Sequence, residues 1–350
     1  MADAGAGRRR RGAAERLAIG LFLAALALLL ILDPPTGAGA ALWRRVLAAS
    51  SGGEGAGAER WLFACGLSAL LTAVFWLHNA ALLGAGAYDA LRRYRLPAAH
   101  PPPPPELLRE CVRDTLLGQL LVRPLLLYAA FPLFIGAGMR TDAASLPGCR
   151  SLLLQLAFCA QVARTPAPPH EPLCRRSGSG SPASPRPPVR VPCLLLTPAV
   201  LPATPQVDDA LFYWSHRAMH ESRWLYKHVH RQHHQFVHTV GLAVEYAHPV
   251  EDLANAVATM AGPLLLGAHM GVVWLYAALK LTQSIDAHSG FDLPFPLSVW
   301  SVVDAMDAAP AHGYHHSHSN GCYGGYFVFW DRLCGTDRAY KRWLLRAKAG

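Results

Sequence analysis

The chain has 350 residues, of which 52% are apolar and 16% charged, against about 25% charged in an ordinary soluble domain. That balance argues against a soluble globular protein, and because the apolar residues come in runs it points to a membrane protein. The net charge of +9 carries no zinc-finger or RNA-binding signature, so nucleic acid is not an expected partner, and the basic excess suits an anionic membrane surface or an acidic protein. Eight scattered cysteines without a C-x-x-C pair argue against a disulfide framework or thiolate zinc site and fit the reduced thiols of a cytosol-facing site.

In chain order, residues 1–16 form a basic tail with four consecutive arginines, Arg8 to Arg11. The run "LAIGLFLAALALLLIL", residues 17–32, reads as a transmembrane anchor, with a signal peptide as the alternative. Residues 61–163 read as transmembrane helices with a proline-rich connector. One span runs from Trp61 to Leu83 and another from about Thr115 to Ala137, the latter containing Arg123 and Pro124. Pro101 to Pro105 forbid helix and favour an extended spacer. Arg123 inside a span must face protein or water, and a packing contact is its expected role.

A further apolar segment, "SLLLQLAFCA", is interrupted by residues 164–206, a disordered insert of proline- and serine-rich low complexity. The apolar pattern resumes at "VDDALFYWSHRAMH". The interruption reads as an insertion into a transmembrane helix, from retained intron or an erroneous gene model, or else as a true loop between two short helices. Residues 207–337 form the expected catalytic domain. Within it, Leu253 to Thr282 reads as a bent helical hairpin dipping into the membrane. Residues 338–350 are a second basic tail, suited to an acidic partner or to lipid headgroups. The fold class is all-α: a polytopic membrane bundle with a cytosolic, histidine-rich di-metal site. Positive charge on the cytosolic side and a count of spans that treats the broken segment as one place both histidine bursts in the cytosol.

Those bursts carry the chemistry. His216 and His220 are four apart; His230, His233 and His234 form H-x-x-H-H, and His312, His315 and His316 repeat it. On a helix these spacings share a face. Imidazole is the common nitrogen ligand of iron, zinc, copper and nickel, and eight imidazoles exceed one tetrahedral ion, so two ions with four or five nitrogens each are expected. Asp208, Asp209, Glu245, Glu251, Asp286, Asp292 and Asp304 are candidate partners behind the ligands. His78, His100, His170 and His269 read as surface or capping residues, and His238 and His318 have no assured role.

These boxes, with "EYAHPVE", "HSGFDLP" and "FWDRLCGTD", resemble the sterol desaturase/fatty acid hydroxylase superfamily of membrane di-iron enzymes, nearest to sterol C4-methyl oxidase-like members, from about Leu107 to Asp337 apart from the insert. The resemblance implies that the eight box histidines are metal ligands, with His248, His288, Asp292 and Glu245 as further ligands or partners behind them. Asp292 departs from the third H-x-x-x-H of fatty acid 2-hydroxylases and argues against that branch. It implies two iron ions, O2, and electrons from NAD(P)H through a cytochrome b5-type donor, since the chain carries no flavin, haem or dinucleotide motif. The expected protein is a monooxygenase of sterol biosynthesis or lipid metabolism in the endoplasmic reticulum membrane. It would hydroxylate or oxidise a sterol or related lipid drawn from the bilayer. A desaturase, a catalytically impaired relative and a metal-binding membrane protein or transporter are the alternatives.

Overall fold

The computed structural model of the chain describes residues 37–50, 56–97, 100–160, 207–295, 297–302, 308–325 and 327–349. The anchor expected at 17–32, the low-complexity segment at 164–206 with His170, and Asp304 lie outside them. Among the described residues every regular element is helical, and the only strand-like pairing is an isolated bridge between Arg95 and Phe291.

Helix α1 (Gly37–Ser50) precedes two long apolar helices, α2 (Gly57–Ala87) and α3 (Pro105–Gly136). Both are long and apolar enough to cross a membrane; at about 1.5 Å per residue each exceeds the ~30 Å hydrocarbon layer. Pro105 occupies the first turn of α3, where its missing N–H costs nothing, while the prolines before it keep the chain extended. Each long helix contains one π-helical turn with a local cause. In α3 the turn Gly118–Val122 lies just ahead of Pro124, which has no N–H for the carbonyl four residues back and whose ring crowds it; the wider turn relieves both. In α2 the turn ends at Gly66, where the Trp274 ring comes so close that a Cβ would sit 2.3 Å from it.

Helices α4 (Cys149–Ala160) and α5 (Val207–Glu221) flank the low-complexity segment. The expected hairpin is present as α6 (Pro249–Leu265) and α7 (Met270–His288). Its turn needs Gly267, at φ +53, where a Cβ would lie 2.6 Å from the Ala137 carbonyl. Helices α8 (Ala308–His318), α9 (Phe329–Cys334) and α10 (Arg338–Ala349) complete the described chain.

Side-chain clustering fixes the directions. Phe63 and Leu67 of α2 pack with Met270 and Val273 of α7, and Phe75 and Leu82 with Ile285 further along, so α2 and α7 run parallel. Phe131 and Phe134, late in α3, join the first cluster, whereas Leu107 and Cys111, early in α3, pack on Phe236 and Tyr246. Helix α3 is therefore antiparallel to both. The outer face of α3, including Leu117, Leu120, Leu121, Leu125 and Leu126, is exposed, as a lipid-facing surface would be. The proline-rich connector, the 226–246 segment and the end of α7 all gather at one end of the bundle. Arg123 of α3 faces that end and pairs with Glu245, which also accepts a 2.7 Å hydrogen bond from Gln119; this is the packing contact expected of an arginine in a span.

Candidate metal centre

Nine histidines converge at that end of the bundle. His216, His220, His230, His234 and His315 form one group; His233, His288, His312 and His316 form a second, and within each group the nitrogens lie within 4.8 Å of one another. The groups abut, with the His234 and His316 rings stacked at 4.7 Å between centroids.

Three boxes serve the two groups. His216 and His220, one turn apart on α5, join the same group. The segment expected to be a continuous helix through His230, His233 and His234 is instead a π-helical turn, Tyr226–His230, followed by a 3-10 turn, His233–Gln235. His230 and His234 nevertheless join the first group and His233 the second. On α8, His312 and His316 share a face and enter the second group, while His315 turns to the first.

The rings point the same way. Their Nε2 atoms meet inside: 2.8 Å for His220–His230, 3.1 Å for His234–His315, 2.9 Å for His288–His312 and 3.1 Å for His312–His316. Several Nδ1 atoms are committed outward. His216 donates to the Tyr323 carbonyl at 2.9 Å, His315 to Gly321 at 2.8 Å, His288 to Ser284 at 2.8 Å and His233 to Tyr246 at 3.3 Å. His230 places Nδ1 2.8 Å from the buried Glu251 carboxylate. A carbonyl can only accept, so in the four neutral rings held by carbonyls the proton sits on Nδ1 and the Nε2 presents a lone pair.

His233 and His288 then face each other at 3.2 Å with two lone pairs and no proton between them. Each buried acceptor left so costs about 1–3 kcal/mol, and a cation among the lone pairs removes that cost. The all-imidazole donor set therefore fits a transition-metal ion in each group. Burial holds His233 down at about 4 and His312, His315 and His316 well below their ordinary value, so all stay in the neutral, ligating form at pH 7.

The residues singled out from sequence separate accordingly. All eight box histidines lie in the two groups, joined by His288. The other three candidates lie elsewhere. His248 caps α6, its Nδ1 accepting the Val250 N–H at 3.2 Å. Glu245 is turned toward α3 by Arg123 and Gln119. Asp292 sits where the connector crosses the bundle end, its N–H donating to the Tyr94 carbonyl at 2.8 Å. Among the remaining carboxylates Glu251 reaches a ring of the groups. Asp208 pairs with Lys280 at 3.5 Å and accepts from the Tyr276 hydroxyl, Asp209 accepts the Phe327 N–H, and Asp286 meets His78 at 2.9 Å. His269 caps α7, while His238 bonds the His100 carbonyl and His318 stacks on Tyr314. Sequence reasoning missed the 321–324 loop and Asp331, whose signal was the glycines of "NGCYGG".

Residues 203–336 match the model of the fatty acid hydroxylase family. The chain is 40% identical over 139 residues to the very-long-chain aldehyde decarbonylase GL1-8 of Oryza sativa subsp. indica, covering 39% of this chain and 51% of that protein. It has the same identity and coverage with methylsterol monooxygenase 2-2 of Arabidopsis thaliana, and 37% identity over 149 residues with methylsterol monooxygenase 2-1 of that plant, covering 39% and 54%. The chain thus spans about half the length of the curated relatives it matches. No solved structure matches it.

Proposed function

We propose that, through residues 203–336, which match the fatty acid hydroxylase family model, the chain is a member of the sterol desaturase/fatty acid hydroxylase superfamily, and that it is a membrane-bound di-iron oxygenase acting on a sterol or related lipid. The observation that carries the reading is the pair of imidazole groups, five and four strong, with inward lone pairs held by outward carbonyl and carboxylate bonds. The nine histidines are the proposed ligands, His288 included. Two iron ions bound there supply the activation of O2 that attack on an unactivated C–H bond requires. Hydroxylation puts one oxygen of O2 into the product and one into water, and needs two electrons and two protons from outside the substrate. We assign the electrons to a separate NAD(P)H-fed donor of the cytochrome b5 type.

The chain's own residues set the conditions for that chemistry. The carbonyls of Tyr323, Gly321, Ser284 and Tyr246 fix ring tautomer and direction before any ion binds, and Glu251 fixes the direction of His230. Burial of the rings keeps bulk water out. Beside the second group lies a cavity of about 590 Å³, walled by Leu82, Tyr94, Leu242 and Phe291, with Ser289 and Gly313, the neighbours of His288 and His312, at its lining. The exposed arginines 92, 93 and 95 lie at the same end as the histidines, which supports a cytosolic site, and the endoplasmic reticulum membrane is the proposed location.

The aldehyde decarbonylase likeness favours a second reading, a long-chain aliphatic substrate. Full-length chain in lipid nanodiscs, supplied with NADPH, a b5-type donor system and O2, is expected to oxidise a 4-methylsterol and to leave a long-chain aldehyde unchanged. Conversion of the aldehyde alone would move the assignment to the second reading. No O2-dependent product from either, with metal bound, would contradict the oxygenase.

A further inference from the structure

His216 and His315 belong to different helices, yet one short loop, 321–324, aims both. His216 donates to the Tyr323 carbonyl and His315 to the Gly321 carbonyl. The other half of each of these peptide units is also held. The Gly324 N–H, in the same peptide as the Tyr323 carbonyl, donates to Asp331 Oδ2 at 2.8 Å. The Cys322 N–H, in the same peptide as the Gly321 carbonyl, donates to the Thr336 carbonyl at 3.3 Å. Between them, the Tyr323 N–H donates to Asp331 Oδ1 at 2.8 Å.

Thr336 is in turn tied to Asp331: its N–H donates to the Asp331 carbonyl at 2.9 Å and its hydroxyl to Oδ1 at 2.6 Å. Tyr213, one turn before His216 on α5, donates to that hydroxyl at 3.1 Å. Asp331 is 3% exposed. Desolvating a carboxylate that far is costly unless its oxygens are filled, and here three neutral donors fill them. The backbone has been shaped to allow this: Gly321 and Cys322 adopt φ +80 and +55, and a Cβ on Gly324 would lie 2.7 Å from Asp331 Oδ2.

We infer that Asp331 is a positioning residue for the five-histidine group, acting on His216 directly through the Tyr323–Gly324 peptide and on His315 through Thr336 and the Gly321–Cys322 peptide. The Tyr323–Gly324 unit relays polarisation as well as position. The Asp331 oxygen at its N–H end strengthens the acceptor at its carbonyl end, which in turn makes the His216 imidazole a better electron donor at Nε2. The Gly321–Cys322 unit, whose N–H meets the neutral Thr336 carbonyl, relays position. Among the described residues the four-histidine group is held otherwise, with His233 and His288 resting on the carbonyls of Tyr246 and Ser284. The inference rests on the reading of these imidazoles as ligands.

The test is a cobalt(II) titration of metal-stripped full chain in nanodiscs, read by visible absorption and by bound metal per chain. Wild type is expected to take two ions. Asp331→Asn, which keeps the shape but sets an NH2 against a backbone N–H, is expected to weaken one of the two ions by about 10- to 100-fold and to shift only that ion's absorption bands. Asp209→Asn, equally buried and bonded to the nearby Phe327 N–H, is expected to leave both ions unchanged. If Asp331→Asn does not fold, Thr336→Val decides, and a shift in one ion's bands supports the inference. Unchanged affinity and spectrum in Asp331→Asn, or in Thr336→Val where that variant decides, overturns it, as does equal weakening of both ions by Asp331→Asn and Asp209→Asn. A wild type that takes no cobalt overturns this inference and the ligand reading together.

Discussion

Replacing His288 with alanine is expected to weaken the ion of the four-histidine group by more than about 100-fold, since losing a ligand costs at least what losing a partner behind one does. His288 Nε2 lies 3.2 Å from that of His233 and 2.9 Å from that of His312, and its Nδ1 is held at 2.8 Å by the Ser284 carbonyl, so ring and tautomer are set for ligation. The second group would fall to three nitrogens. His248→Ala is the contrast. It removes a helix cap, for about 1 kcal/mol of stability, and leaves metal content intact. Bound metal per chain and thermal unfolding of both variants, side by side, check the pair. Equal metal loss in the two would contradict the assignment.

Gly321→Ala is the second large effect, and it acts through backbone. At φ +80 a non-glycine residue costs about 1–3 kcal/mol. In addition the new Cβ would lie 2.2 Å from the Thr336 carbonyl oxygen. That atom belongs to the main chain and cannot rotate away, so the loop must move. The Gly321 carbonyl then leaves His315, and both stability and the five-histidine group suffer. Gly84→Ala, on the exposed side of α2 with nothing within 4 Å of its Cβ, is expected to stabilise the helix by about 1 kcal/mol. Calorimetry on both variants measures the difference; a Gly321→Ala protein as stable as wild type would show that the loop has slack.

The all-helical architecture, the two long apolar helices and the histidine constellation were legible because each rests on a pattern local in sequence: apolar runs, proline density, repeated H-x-x-H-H. What spacing could not convey is the split between groups. In both H-x-x-H-H triplets the residues four apart stay together and the third histidine goes to the other group, whether the backbone is π and 3-10 turns or the regular helix α8, and which rings meet across elements is decided by tertiary packing. His288 carries no second histidine at helical distance, so its membership comes from the meeting of α7 with α8 and with the 226–246 segment, a tertiary fact. His248, Glu245 and Asp292 are near the boxes in sequence but are claimed by local partners: a cap, an arginine of α3, and the connector backbone. Asp331 lies outside every histidine motif and reaches the rings only through peptide units, a route with no periodicity to betray it.

The most direct test of the central claim is X-ray absorption at the metal edge of full chain purified with its native metal, together with metal quantitation. The account predicts two iron ions per chain, each surrounded by imidazole nitrogens with no sulfur neighbour. Substoichiometric metal, or a first shell containing thiolate sulfur, would contradict it.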